Sequence, residues 1–302
     1  MVKAPMMVQS LEERMIMHAA NGTTNVKPIN FGIESDVYSV EDHNGRELIF
    51  KKAKSTGRQN YLFEAYACRK LKSLGALVPD VVRVNSKELL MTKLPGATMD
   101  DQIELYGNNQ LFDDIAHNLA LCANVTLQGY GRAVQDGDSF VGKYSSWSEF
   151  LNATEQLFDS PEITSELEDG NIAKLHSVWI SQKSKMALDQ GTLVHGDFAM
   201  SSLLVEGRRL TGIIDFGDAF IGDPLMDIAY FRLKEITKSY GRAIYRLLLR
   251  YYADTRKIAI DDELEKKIIF YMIYWGLKRL EHCPDQELRK KFVAKLKVVS
   301  DL

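Results

Sequence analysis

Two short polar motifs carry the side chains of this sequence that are best suited to chemistry. The first, "HGDFAMSS", places His195 and Asp197 directly after the β-prone segment "TLV", and the second, "IIDFGD", ends a strand at Asp215. Between them, "LLVEGRRLTGIID" is typical of a β-hairpin that turns at Gly207-Arg208. Such a hairpin would bring Ser202 and Asp215 together at its open end, beside the loop of Asp197.

Two carboxylates and a neutral oxygen in one place are the groups that phosphoryl transfer requires. One carboxylate orients or deprotonates the hydroxyl nucleophile, while the other carboxylate and the neutral oxygen hold Mg²⁺ against the nucleotide phosphates. Two protein ligands are enough, because phosphate and water complete the coordination of Mg²⁺. The spacing of these motifs therefore predicts a phosphoryl-transfer site.

The elements that must position this site begin with a small antiparallel sheet and one inserted helix. The segments "DVYSV" and "ELIFKK" are rich in β-formers and are joined by "HNG", a strong hairpin signal. The segment "RQNYLFEAYACRKLKSLG" is rich in helix formers and ends on Gly75, a typical helix C-cap. Two more short strands are predicted in "VPDVVRVNSKELLMTKLPG".

After Pro95-Gly96 the pattern becomes mainly helical. Apolar periodicity indicates helices in "NQLFDDIAHNLALCANVTLQGYG", in "SWSEFLNATEQLFD" and over most of the chain from Asp223 onward. Because neither Pro95 nor Gly96 sustains a helix or a strand, we place the boundary between two lobes there. The sequence predicts an α+β fold with a lobe of residues 1–95 and a larger, mostly helical lobe of residues 96–302.

The composition is that of an ordinary soluble protein. With 38 Lys and Arg against 41 Asp and Glu, the net charge of −3 argues against nucleic acid or an anionic membrane as a partner. The three cysteines have no paired spacing, which argues against a zinc site or a disulfide framework. No apolar run approaches the length of a membrane span, and no signal peptide is recognisable. We expect a cytoplasmic protein, either a monomer or a homodimer.

Four motifs, "LLMTKLPG", "QGYGR…GKYSSWSEF", "HGDFAMSS" and "IIDFGDAFIGDPLMDIAYF", resemble those of the aminoglycoside phosphotransferase and choline kinase-like family. They occur in the family's order and spacing between about Phe31 and Tyr230. The stretch with Tyr144, Trp147 and Phe150 is similar to hygromycin phosphotransferase-like members. The resemblance implies a bilobal protein-kinase-like fold, with the smaller lobe binding nucleotide. It also implies transfer of the γ-phosphate of ATP or GTP, with Mg²⁺, to a hydroxyl of an aminoglycoside, another antibiotic-like compound or a metabolite.

By the same resemblance, Asp197 matches the catalytic-loop aspartate and Asp215 matches the magnesium-binding aspartate. His195 matches the histidine that orders this loop, and we group it with Asp197 as a catalytic residue while favouring a buried scaffolding role. The family usually has asparagine where this sequence has Ser202. Three alternatives follow: Ser202 binds the metal, Asp215 holds it alone, or the protein is a catalytically impaired nucleotide-binding module.

The resemblance also assigns the nucleotide-binding residues of the smaller lobe. "FGIESDVYSV" is similar to the loop that covers the nucleotide, with Gly32 and Ser35 at its turn. "ELIFKKAK" matches the strand with the phosphate-binding lysine, and the family's spacing favours Lys51 over Lys52, which points to the opposite face. Glu64 would hold Lys51 through an ion pair, as kinases require. With all of these present, we favour an active enzyme over an impaired one.

"LLMTKLPG" matches the strand and hinge that bind adenine through main-chain hydrogen bonds, which we place at Met91, Lys93 and Leu94. Asp218 follows the metal-binding aspartate and is a candidate to contact the substrate. A protein kinase is a weaker alternative, because the catalytic loop lacks the His-Arg-Asp pattern and no activation segment precedes "GDPLMD".

Overall fold

The computed structural model describes residues 24–31, 35–54 and 59–302. Its N-terminal part is an antiparallel sheet of five strands in the order β1-β2-β3-β5-β4. The strands are β1 (Thr24–Phe31), β2 (Ser35–Glu41), β3 (Glu47–Ala53), β4 (Val81–Val84) and β5 (Glu88–Thr92). Helix α1 (Tyr61–Ser73) packs on one face of this sheet, so the predicted small sheet with one inserted helix is confirmed.

Helix α1 begins where Asn60 caps it, because the Asn60 side chain accepts a hydrogen bond from the Phe63 N–H. The amide of Asn60 also donates to the Ala133 carbonyl at 3.0 Å, which ties the start of the helix to a hairpin in the second half of the molecule. Tyr61 and Ala65 face the sheet and are completely buried. The helix is thereby fixed both to its own sheet and to the larger lobe.

The larger lobe contains eight helices and eight strands among the described residues. The first group comprises β6 (Ala97–Thr98), α2 (Asn109–Ala120), β7 (Thr126–Leu127), β8 (Tyr130–Asp136), β9 (Ser139–Tyr144), α3 (Trp147–Glu155), α4 (Pro161–Thr164) and α5 (Asp169–Lys183). The second comprises β10 (Gly191–Val194), β11 (Leu203–Glu206), β12 (Arg209–Ile213), β13 (Phe220–Gly222), α6 (Leu225–Glu235), α7 (Gly241–Arg256), α8 (Asp262–His282) and α9 (Gln286–Val299).

One predicted helix is shorter than the periodicity indicated. Apolar periodicity predicts a helix over the whole segment 109–131, but α2 ends at Ala120, a 3-10 turn follows, and the chain enters β7 and β8. Gly129 has φ +74°, and a Cβ there would lie 2.9 Å from the carbonyl oxygens of Gly142 and Tyr144. This close approach of two backbones requires glycine, so the segment builds a β-hairpin instead of another helical turn.

Two further sheets position the motifs that contain Asp197 and Asp215. Strands β7-β10-β13-β8-β9 form one of them, and β12-β11-β6 form the other. The predicted hairpin is confirmed, since β11 and β12 pair from Leu203 with Ile213 to Glu206 with Arg209. The Ile214 N–H donates to the Ser202 carbonyl at 2.9 Å, so the open end of the hairpin places Ser202 next to Asp215.

The helical core is aromatic. Phe270 and Trp275 of α8 are buried: Trp275 packs against Phe220 of β13 and Tyr230 of α6, and Phe270 stacks on Trp179 of α5. None of the helices in the described ranges is long and apolar enough to cross a membrane. The lobe boundary predicted at Pro95-Gly96 stays a prediction.

Candidate active site

The loop that follows β10 is held in place by the buried carboxylate of Asp227. Asp227, in the first turn of α6, accepts hydrogen bonds from the His195 N–H at 2.8 Å and from the Gly196 N–H at 3.0 Å. Asp227 is 1% exposed, and this burial raises its pKa to about 6. Asp227 therefore fixes the backbone of the loop that carries His195 and Asp197.

His195 is completely buried, and both of its ring nitrogens bind the backbone. Nδ1 accepts from the Asp197 N–H at 3.2 Å, so Nε2 carries the proton and donates to the Ile214 carbonyl at 2.9 Å. The neutral ring thus connects the loop of Asp197 to the residue before Asp215. Because neither nitrogen is available to exchange a proton with a substrate, His195 has the geometry of a positioning residue.

The two catalytic motifs touch at Gly196. This residue has φ +85°, and a Cβ built on it would lie 2.1 Å from the carbonyl oxygen of Asp218. Only glycine satisfies both the left-handed conformation and the contact. The loop of Asp197 and the loop of Asp215 are consequently held at a fixed distance from one another.

Asp197 is the partly exposed carboxylate at the centre of the site, with 32% of its side chain accessible. Its Oδ1 accepts hydrogen bonds from the Tyr230 hydroxyl at 2.6 Å and from Arg279 Nη2 at 2.9 Å. Within the described ranges no residue donates to Oδ2. One oxygen is therefore used to orient the carboxylate, and the other can accept a hydrogen bond from an acceptor hydroxyl.

Arg279 on α8 was not found by sequence reasoning. Its Nη2 donates to the Gly196 carbonyl and to Asp197, and its Nη1 lies 2.8 Å from Oδ2 of Asp218. The guanidinium also stacks over the rings of Tyr230 and Trp275. No local motif marks this arginine, since it is far from either catalytic loop in sequence. Asp218, the predicted substrate contact, is thus in an ion pair with Arg279 and is still 39% accessible.

Lys51 of β3 binds two carboxylates. Its Nζ lies 2.6 Å from Oε1 of Glu64 on α1 and 2.8 Å from Oδ1 of Asp215. Lys51 is 8% exposed and Glu64 is 1% exposed. Burial opposes the charge of the ammonium, but the carboxylates of Asp215 and Glu64 outweigh it and raise the pKa of Lys51. Burial likewise raises the pKa of Glu64.

Asp215 has φ +70° and ψ 61°, a left-handed conformation that is uncommon outside glycine. Its side chain is 56% accessible, and the Lys51 ammonium lowers its pKa, so the carboxylate is ionised. Ser202 is 2% exposed, and its hydroxyl donates to the Asp197 carbonyl at 2.8 Å. With its proton used in this way, the serine oxygen can offer only lone pairs to a neighbouring group.

This donor set suits Mg²⁺ only if phosphate and water supply the other ligands. No cluster of three or more His, Cys, Asp or Glu that could hold a metal occurs in the described part of the chain. One ionised carboxylate and one neutral hydroxyl oxygen fit an ion of this kind, which binds few protein oxygens when phosphates are present.

The remaining predicted nucleotide contacts lie in different surroundings. Ser35 lines the cleft and accepts a hydrogen bond from the Tyr61 hydroxyl at 2.8 Å. Met91 belongs to the apolar cluster under α1, and the Lys93 N–H already donates to the Glu47 carbonyl. Leu94 packs close to β12 at Gly212. Gly32 lies outside the described residues.

A single cleft of about 630 Å³ contains Lys51, Asp197, Asp215 and Asp218. From these residues it continues past the β8–β9 hairpin to α3, the end of α8 and the start of α9. The site therefore has a catalytic end between the lobes and a second end within the larger lobe.

The sequence is similar to those of known phosphotransferases. Over 240 residues the chain is 20% identical to hygromycin-B 4-O-kinase of Escherichia coli, covering 76% of this chain and 67% of that protein. Over 119 residues it is 28% identical to aminoglycoside 3'-phosphotransferase of Niallia circulans, covering 39% of this chain and 42% of that protein.

Solved structures share the fold over nearly the whole chain. A thermostable mutant of aminoglycoside phosphotransferase APH(4)-Ia, in a ternary complex with AMP-PNP and hygromycin B, has a TM-score of 0.75 at 17% identity, covering 97% of this chain and 98% of that one. The streptomycin-ATP-APH(2")-IIa ternary complex has a TM-score of 0.62 at 18% identity, covering 97% of each chain.

The architecture is therefore the expected bilobal, protein-kinase-like α+β fold, with an antiparallel sheet in the smaller lobe and a mainly helical larger lobe. The sequence model of one family matches residues 25–260, which include Lys51, both catalytic motifs and Asp227. The chain belongs to the phosphotransferase enzyme family.

Proposed function

We propose that this protein is a small-molecule O-phosphotransferase that moves the γ-phosphate of ATP or GTP to a hydroxyl of an antibiotic-like or metabolite acceptor. The observation that carries the proposal is the contact of Lys51 with both Glu64 and Asp215, in the cleft that also contains Asp197. A lysine fixed by a helix carboxylate, beside a metal-binding carboxylate, is the arrangement that positions nucleotide phosphates in kinases.

The described residues have separate roles in this mechanism. Lys51 braces the nucleotide phosphates, and Glu64 keeps its ammonium in place. Asp215, with Ser202, would hold Mg²⁺, which neutralises charge on the phosphates. Asp197 receives or orients the proton of the acceptor hydroxyl through Oδ2, while Tyr230 and Arg279 hold its other oxygen.

Nucleotide and aminoglycoside binding by relatives supports this assignment. The APH(4)-Ia structure contains AMP-PNP and hygromycin B, and the APH(2")-IIa complex contains ATP and streptomycin. We place the nucleotide phosphates at the end of the cleft that contains Lys51 and Asp215, and the acceptor in the half of the cleft that lies within the larger lobe.

A catalytically impaired nucleotide-binding module is the second candidate, and the serine at position 202 is the observation that favours it. The side chain of Ser202 is shorter than that of asparagine, and its hydroxyl already donates to the main-chain carbonyl of Asp197. The two candidates differ in turnover. We expect transfer of ³²P from [γ-³²P]ATP to a hydroxyl compound in the presence of Mg²⁺, in a screen of aminoglycosides, sugars and amino alcohols. Calorimetric binding of ATP with Mg²⁺, but neither transfer nor ADP formation, would identify the impaired module.

A further inference from the structure

The second end of the cleft is enclosed by apolar side chains of α3, the turn after α3, the loop between α8 and α9, and α9 itself. We call this part the apolar end, and it is lined by Ala153, Leu157, Cys283, Pro284, Leu288 and Phe292. Leu288 and Phe292 are four residues apart and therefore share one face of α9. A concave apolar surface of this kind is suited to an uncharged group of a ligand.

Three polar groups at the apolar end are already bound within the protein. Thr154 also lines the cleft there, and its hydroxyl donates to the Phe150 carbonyl at 2.9 Å. The Cys283 thiol donates to the Asp285 carbonyl at 3.4 Å, and the Cys283 carbonyl accepts from Nη1 of Arg289 at 3.2 Å. Because these groups are used within the protein, a ligand here binds mainly by burying apolar surface.

Arg289 holds the walls of the apolar end together. This arginine is 8% exposed, and its guanidinium donates to the carbonyls of Leu280 at 2.7 Å and Glu162 at 2.8 Å as well as to that of Cys283. Its Nε lies 2.9 Å from Oε1 of Glu166. These bonds attach the start of α9 both to the end of α8 and to the segment that follows α3. The shape of the apolar end is therefore fixed by the protein itself.

An aromatic wall joins the apolar end to the catalytic end of the cleft. The rings of Phe150 on α3 and Tyr274 on α8 lie 5.5 Å apart, and Tyr274 contacts Trp275 at 4.9 Å. Trp275 in turn packs under the guanidinium of Arg279, which binds Asp197. All five residues line the cleft. Such a wall can bury the apolar face of a ring that carries the reacting hydroxyl.

The apolar end lies close enough to Asp197 for one small molecule to reach both. Arg279, which binds Asp197 at 2.9 Å, is three residues before His282, the last residue of α8. At about 1.5 Å per residue this part of the helix spans about 4.5 Å, and Cys283 follows it directly. A hydroxyl at Asp197 and a substituent in the apolar end therefore fit within one molecule of ordinary ligand size.

The carboxylates that line the described part of the cleft all lie at its catalytic end. They are Asp197, Asp215 and Asp218. A polycationic aminoglycoside that extended into the apolar end would place ammonium groups where the described lining residues offer no carboxylate. Moving a charge from water into such surroundings without a partner is unfavourable, whereas an alkyl or aryl group gains free energy there.

We propose that the acceptor carries an uncharged alkyl or aryl substituent and that this substituent binds in the apolar end. The reacting hydroxyl would lie at Asp197, and the part of the molecule between them would pack against the aromatic wall. The inference rests on the proposed function, because that function assigns this half of the cleft to the acceptor.

The first test varies only the length of an alkyl chain on one sugar. Methyl β-D-glucoside and hexyl β-D-glucoside are titrated into the full chain with ADP and Mg²⁺, with hygromycin B as the polycation, and binding is measured by calorimetry. Each methylene group removed from water raises an affinity by roughly threefold, so hexyl glucoside should bind at least about tenfold more tightly than methyl glucoside and more tightly than hygromycin B. The inference is overturned if hexyl glucoside does not bind more tightly than methyl glucoside, or if hygromycin B binds most tightly.

Cys283 shows where the alkyl chain binds. Cys68 and Cys122 are buried, whereas Cys283 is partly exposed and lines the apolar end. The wild type is alkylated with iodoacetamide, and the modified Cys283 peptide is followed by mass spectrometry. Saturating hexyl glucoside should slow this alkylation by at least about fivefold, because the chain covers the thiol, while methyl glucoside should leave the rate unchanged. An unchanged rate with hexyl glucoside bound would place the chain elsewhere and overturn the inference.

Two variants alter the apolar end in different ways. Leu288→Asp adds a carboxylate in the first turn of α9, where a helix tolerates negative charge, and Ala153→Phe fills the space without adding charge. Each should weaken binding of hexyl glucoside by about tenfold or more, with the affinities for methyl glucoside and for ATP with Mg²⁺ kept within about threefold. Ile180→Asp is the matched control, because Ile180 is 51% exposed on α5 and does not line the cleft. Binding of hexyl glucoside by both variants as tightly as by Ile180→Asp would overturn the inference.

Phosphate transfer separates this inference from the proposed function. With [γ-³²P]ATP, transfer to hygromycin B but not to hexyl glucoside would keep the proposed function and overturn the apolar acceptor. Binding of ATP with no transfer and no ADP formation under any condition would contradict the proposed function itself, whichever probe bound best.

Discussion

Lys51 is the residue whose loss should damage stability and catalysis for different physical reasons. Lys51→Met removes the partner of Glu64, which is 1% exposed. At 2.6 Å and an effective dielectric constant of about 20, the attraction between Nζ of Lys51 and Oε1 of Glu64 is about 6 kcal/mol before desolvation. Breaking a buried pair by removing one partner costs about 3–5 kcal/mol, because the remaining charge is buried without compensation.

The second variant, Lys51→Met with Glu64→Met, removes both buried charges. Replacing a buried ion pair by apolar side chains of similar volume is often neutral, so stability should return to within about 1 kcal/mol of the wild type. Asp215 also loses a partner, but it is 56% accessible and is readily hydrated. Catalysis should not return, because no cation braces the phosphates, and ADP formation should stay about 10²-fold or more below the wild type.

Urea unfolding measured by tryptophan fluorescence gives the stability, and magnesium-dependent ADP formation gives the activity. We expect the single variant to be unstable and inactive, and the double variant to be stable and inactive. It is refuted if Lys51→Met unfolds at the urea concentration of the wild type, or if the double variant forms ADP at a rate near that of the wild type.

Three further predictions concern the loops around Asp197. Gly196→Ala should lower the free energy of unfolding in urea far more than Gly75→Ala, because the two glycines have similar positive φ values but only a Cβ at Gly196 would clash with backbone atoms. Equal losses of stability in the two variants would contradict this. Burial raises the pKa of Asp227 from 3.8 to about 6, so the folded state binds the proton of this carboxyl more tightly than the unfolded state does. The free energy of unfolding that this proton contributes is lost as the pH rises through about 6. The free energy of unfolding of the wild type, relative to that of Asp227→Asn, should therefore fall between about pH 4 and pH 6. A constant difference between the two proteins in urea unfolding over this pH range would exclude this pKa. Ser202→Ala should raise the Mg²⁺ concentration that half-saturates ADP formation, and an unchanged requirement would mean that Asp215 holds the metal without Ser202.

The sequence predicted those parts of the site that depend on local pattern. Asp197 and Asp215 each follow a short strand, and the hairpin between them is marked by its own turn, so their proximity follows from neighbouring residues. Strand alternation places Lys51 and Lys52 on opposite faces, and the spacing of the family that the sequence resembles favours Lys51. In the structure Lys51 is the buried one of the two.

The parts that sequence reasoning missed depend on tertiary contacts. Arg279 reaches the catalytic loop from a distant helix, and nothing in "GLKRLEH" distinguishes it from a surface arginine. Residues 109–131 carry helical periodicity, but the helix ends at Ala120, and the Gly142 N–H donates to the Gln128 carbonyl where the two backbones approach closely.

Asp197→Asn tests the central claim most directly. The amide keeps an oxygen for Tyr230 and Arg279 but places an N–H₂ group where Oδ2 would accept the acceptor proton. Once an acceptor is found, the account predicts that ³²P transfer from [γ-³²P]ATP falls by about 10²–10⁴-fold while the affinity for AMP-PNP with Mg²⁺ stays that of the wild type. Transfer by Asp197→Asn at a rate close to that of the wild type would contradict it.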